Sequence, residues 1–139
     1  MGNAIWVFFT LPLWYFPQVL YPFGAGWLSI IPAVGVVCFA VGLILGAIRG
    51  SPRLIGFLVP VLAAQALVAT AGYLRGQVMA ETADQIVTAF LGGQLILVVV
   101  LIAWARGARP AATALALFSL SYAWFAGVVA TMAFTDRWL

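Results

Sequence analysis

Histidine and lysine are missing from this sequence of 139 residues, cysteine occurs once, and aspartate and glutamate together number three. Each shortage removes a class of chemistry. Without imidazole there is no histidine-ligated haem, no imidazole zinc site and no histidine-based triad, and without lysine there is no Schiff base. No cofactor is expected. The single cysteine, Cys38, sits inside an apolar run, so an intramolecular disulfide is impossible and the thiol reads as a packing residue. The carboxylates are Glu81, Asp84 and Asp136, all in breaks between apolar runs or near the C-terminus. A proton-coupled exchanger needs an acid within the membrane, so that activity is disfavoured. Glu81 and Asp84 flank a helix start, where negative charge complements the helix dipole, and no nucleophile or metal ligand accompanies them. The chain reads as non-enzymatic. It also has no basic run and no interleaved basic and aromatic patch, which excludes nucleic acid as a partner.

What is present is apolar. Hydrophobic residues make up 66% of the chain and charged ones 6%, with a mean hydropathy of +1.19. Soluble domains run at about 45–50% and about 25%. The lipid bilayer is therefore the expected solvent. The net charge of +3 comes from six arginines, which also lie in the breaks.

Those breaks share a pattern. Arg49-Gly50, Arg75-Gly76 and Arg106-Gly107 each follow a long apolar run. An arginine in the last turn complements the negative end of the helix dipole, and a following glycine takes the left-handed conformation that closes the helix. Ser51 and Pro52 then suit the N-cap and first position of the next helix. Thr82-x-x-Gln85 reads as a capping box. At the other end of the chain, apolar sequence runs from about residue 4 to 48. As one helix it is about 67 Å long, more than twice the hydrocarbon thickness. It must fold back, and Pro22-Phe23-Gly24-Ala25-Gly26 supplies the turn. Residues 1–26 lack a positively charged leader region and are expected to remain uncleaved.

The expected fold is an all-α integral membrane protein, a single domain of five transmembrane helices near residues 4–21, 28–49, 52–75, 83–106 and 110–134. The first carries Pro12 and Pro17 among many aromatics, so it is expected to be bent and packed against neighbours. The alternative is four spans plus an interfacial or re-entrant N-terminal segment. Arg49, Arg53, Arg106 and Arg109 fall on one side, and Arg75 and Arg137 on the other with all the acids. The positive-inside rule then places the N-terminus in the cytoplasm and the C-terminus outside.

Two sets of residues stand out. Gly35, Gly42, Gly46 and Gly50 form a stripe at helical spacing, with shorter stripes at Ala89 and Gly93 and at Ala116, Ala123 and Gly127. Such stripes let backbones approach closely, within one protomer or against a partner. The second set lies near mid-span: Gln65, Gln94, Ser119, Ser121 and Tyr122. An amide facing lipid strands its donors and acceptors, so the glutamines are expected to point inward. They form either structural bonds between helices or a ligand site or polar pathway. The preferred function is a non-catalytic accessory or assembly subunit that packs against other membrane subunits or copies of itself. A small transporter, channel or apolar-ligand binder using the polar layer is the alternative.

Overall fold

The computed structural model describes Thr10, Pro12, Leu13, Tyr15 and residues 30–136. Within them are four helices long and apolar enough to cross a bilayer. These are α1 (Ile30–Arg49), α2 (Leu58–Tyr73, entered through a 3-10 helix at Pro52–Phe57), α3 (Ala80–Trp104) and α4 (Arg109–Thr135). There is no strand among the described residues. These correspond to the last four of the five expected spans. The expected first span and the turn at residues 22–26 fall largely outside the described residues, as does Arg137; Thr10, Pro12, Leu13 and Tyr15 are described, and all are helical.

The glycines of the three Arg-Gly stops take the expected conformation, but only Arg49 lies in the last turn of its helix; α2 ends at Tyr73 and α3 at Trp104, so Arg75 and Arg106 fall beyond the helix ends. Gly50, Gly76 and Gly107 have φ of 58°, 67° and 92°, the left-handed region that costs a glycine nothing. The expected start signals do not act through their side chains. Ser51 precedes the 3-10 helix without a side-chain cap, and α3 begins at Ala80 with Met79 as its cap residue. Thr82 and Gln85 thus lie inside α3, and the capping box is not used. The 3-10 winding before α2 has a local cause in Pro60. With no N–H, Pro60 leaves the Gly56 carbonyl without its α-helical partner, and Leu58 N–H turns back to Gly56 and Ile55 instead.

One helix organises the rest. In α4, 15 of 27 residues are buried, against 3 of 20 in α1. The buried face of α4 is mostly alanine, including Ala112, Ala116, Ala123, Ala126, Ala130 and Ala133. Small side chains let three neighbours approach one axis, and in lipid close packing rather than water exclusion holds helices together. Accordingly α1, α2 and α3 each pack mainly on α4, and α2 and α3 meet only marginally. Two core clusters result. One, around Tyr15, Phe118, Tyr122 and Phe134, also receives Cys38 on its edge; the other joins Phe57, Val98, Leu101 and Leu115.

Candidate functional site

The mid-span polar residues come from α2, α3 and α4, and the structure sorts them into separate groups. Ser119 bonds back to the Leu115 carbonyl of its own helix at 2.8 Å, a local bond that reaches no neighbour. Gln94 donates from Nε2 to the Pro60 carbonyl of α2 at 3.3 Å. Gln65 faces the Tyr122 hydroxyl, outside hydrogen-bond geometry. Ser121 donates to the Ile31 carbonyl of α1 at 2.8 Å. Among the described residues no hydrogen bond joins these five to one another, because shared depth does not give shared azimuth around α4.

Two atoms of this set, Tyr122 Oη and Gln94 Oε1, are sealed from solvent and make no hydrogen bond among the described residues. An unpaired buried group costs about 1–3 kcal/mol.

The best-built polar cluster centres on Tyr15, which was not singled out from the sequence. Its side chain is fully buried, with its hydroxyl 2.8 Å from Ser121 Oγ and 3.3 Å from the Pro32 carbonyl. Each hydroxyl has one proton and a backbone carbonyl within reach, Pro32 for Tyr15 and Ile31 for Ser121, so either hydroxyl can donate in the bond between them. The ring makes edge contacts with Phe118, Tyr122 and Phe125, whose centroids lie 6.0, 5.1 and 5.5 Å away. Gly35 makes this possible: a Cβ there collides with the Tyr15 hydroxyl and comes within 2.5 Å of Ser121 Oγ. The available signal was the phenol itself, a polar tip in the middle of an apolar run that has to find a partner.

The glycine stripe of α1 divides as well. Gly35 and Gly42 face α4, where a Cβ at Gly42 comes within 2.7 Å of Leu115. Gly46 faces Leu54 at 2.9 Å, and Gly50 has nothing within 4 Å and closes the helix instead. On α4, Gly127 packs against Val87 of α3. On α3, by contrast, Ala89, Gly92 and Gly93 are exposed, and a Cβ at either glycine meets nothing within 4 Å.

The polar ends of the bundle differ in sign. At one end Arg75 pairs with Asp136 at 2.6 Å, and Gly76 N–H reaches the Ala133 carbonyl. At the other, Arg49 donates to the Gly107 carbonyl at 2.8 Å and Arg53 to the Trp104 carbonyl at 3.2 Å, with the Arg53 guanidinium 6.0 Å from the Trp104 ring centre. These bonds tie the turn before α2 to the turn before α4. Between the turns opens a cleft of about 530 Å³ lined by Arg49, Ser51, Arg53, Arg106 and Gly107, beside a smaller one bordered by Arg109.

No protein-family model, curated protein or solved structure matches this chain.

Proposed function

We propose that the protein is a small, non-catalytic accessory or assembly subunit that packs laterally against a larger membrane protein or against copies of itself. The observation that carries this reading is the outward small-residue face of α3 at Ala89, Gly92 and Gly93, which no part of the described chain covers. The stripe on α1 has the same chemistry, yet Gly35 and Gly42 are consumed by contact with α4. A backbone surface of this kind lets a second helix approach closely. The sealed interior supports the same reading, because a polar pathway needs water to reach its polar atoms.

The second reading is a transporter, channel or ligand-binding module working through Gln65, Gln94, Ser119, Ser121 and Tyr122. It is favoured by the two unpartnered atoms, Tyr122 Oη and Gln94 Oε1. Purification from native membranes in mild detergent, followed by mass spectrometry, separates the two. A stoichiometric protein partner that is lost from the Ala89→Leu, Gly93→Leu double variant supports assembly. A bound small molecule without a protein partner supports the second reading.

The proposal includes five crossings, with the N-terminus cytoplasmic and the C-terminus external. Tyr15 lies near the middle of the first apolar run and bonds Ser121, the thirteenth of the 27 residues of α4. Mid-segment contact at mid-span depth supports a segment that enters the bilayer over one that lies along its surface. Reporter fusions at both termini test this: opposite sides are expected, and the same side means an even number of spans.

A further inference from the structure

We infer that the arginine cleft between the turn before α2 and the turn before α4 is a binding site for phosphate-bearing anions, occupied in the membrane by the headgroup of an anionic phospholipid. Four guanidinium groups, those of Arg49, Arg53, Arg106 and Arg109, gather at this end, and the side-chain carboxylates of Glu81, Asp84 and Asp136 all belong to the opposite end. No carboxylate among the described residues pairs with them. The cleft is also fixed in shape. Arg49 and Arg53 are each anchored on a backbone carbonyl of the facing turn, through one nitrogen apiece. A guanidinium carries five N–H donors in a planar fork, so both retain donors for a further acceptor. The Arg106 and Arg109 side chains make no hydrogen bond or ion pair among the described residues and complete the donor set.

The chemistry selects the anion. Planar forks match the paired oxygens of a phosphate, and several of them around one cleft suit a group that accepts from more than one side. A cleft of about 530 Å³ is wider than a lone ion needs and has room for the polar group esterified to that phosphate. Its position selects the source. Half-exposed Trp104, stacked under Arg53, is the kind of aromatic that sits at headgroup level, where phospholipid phosphates are concentrated. A choline on the same phosphate is repelled by the remaining guanidiniums, so glycerol-type anionic headgroups are preferred. This inference does not depend on the assembly reading.

The test is native mass spectrometry of the full chain in mild detergent, with phosphatidylglycerol, phosphatidylcholine or inorganic phosphate added separately. Phosphatidylglycerol is expected to be retained in preference to phosphatidylcholine. Arg106→Gln, which removes no bond to the fold, is expected to weaken that retention about tenfold, the loss of one charge-assisted hydrogen bond. Arg75→Gln, at the opposite end, is expected to leave it unchanged. Equal retention of both lipids, or an equal loss on Arg75→Gln, overturns the site in favour of unspecific charge attraction. Arginine-dependent binding of inorganic phosphate without retention of phosphatidylglycerol overturns the lipid assignment. Should Arg106→Gln fold poorly, the unaltered protein still decides. Phosphatidylglycerol must raise its melting temperature more than phosphatidylcholine does, and the difference must shrink in about 1 M salt, where screening falls to about 3 Å. No difference between the lipids overturns the proposal.

Discussion

The hydroxyls of Tyr15 and Ser121 lie 2.8 Å apart although 106 positions separate them in the sequence. This contact joins the N-terminal segment to the middle of the central helix. Ser121 passes the connection to the first turn of α1 through the Ile31 carbonyl. Tyr15→Phe keeps the ring contacts and loses the hydrogen bonds, so a cost of about 1 kcal/mol is expected. Tyr15→Ala also removes a fully buried ring and is expected to cost about 3–5 kcal/mol. Chemical or thermal denaturation in detergent measures both, and equal effects of the two changes mean that the ring contributes nothing.

Gly35→Ala tests the same junction from the other side. The added methyl runs into the Tyr15 hydroxyl and Ser121 Oγ, and overpacking of this kind costs about 1–3 kcal/mol. Stability unchanged from the parent contradicts the close approach of α1 to α4 at this level.

Gly42→Leu, Gly46→Leu and Leu43→Ala should follow a definite order. At Gly42 the new side chain meets both the side chain and the backbone nitrogen of Leu115, whereas at Gly46 it meets only the tip of Leu54. Leu43 is 52% exposed to the outside of the bundle. The melting temperature should fall most for Gly42→Leu, less for Gly46→Leu and least for Leu43→Ala. Equal tolerance of all three places this face toward lipid.

The features set by neighbouring residues were legible in the sequence, and those set by azimuth were not. Arg49-Gly50, Arg75-Gly76 and Arg106-Gly107 carry their conformation in their own chemistry, and all three glycines take positive φ. Asp136 also takes a left-handed conformation, with φ of 52°, and its side chain pairs with Arg75, 61 positions away, a contact no local signal announced. Position along the helix was legible for Gln65, Gln94, Ser119, Ser121 and Tyr122 because it follows from counting. Which of them meet depends on how α1, α2 and α3 are arranged around α4, and a near-uniform apolar helix does not encode that.

The separation of Gln94 from Gln65 has a measurable consequence. Gln94 bonds the Pro60 carbonyl, and Gln65 faces Tyr122. A double-mutant cycle of Gln65→Leu and Gln94→Leu is therefore expected to be additive within about 0.5 kcal/mol. Gln94→Leu alone loses one hydrogen bond and also removes a stranded acceptor, so its net effect should stay within about 1 kcal/mol. A coupling of several kcal/mol contradicts this arrangement and restores a direct contact between the two amides.

Photo-crosslinking in native membranes tests the assembly proposal most directly. A diazirine-bearing residue in place of Ile96 continues the Ala89 and Gly93 face of α3, and one in place of Ile44 probes α1; both parent side chains are exposed, at 68% and 60%. A discrete protein adduct from position 96 and lipid adducts alone from position 44 are the expected result. Lipid adducts alone at both positions contradict docking through α3.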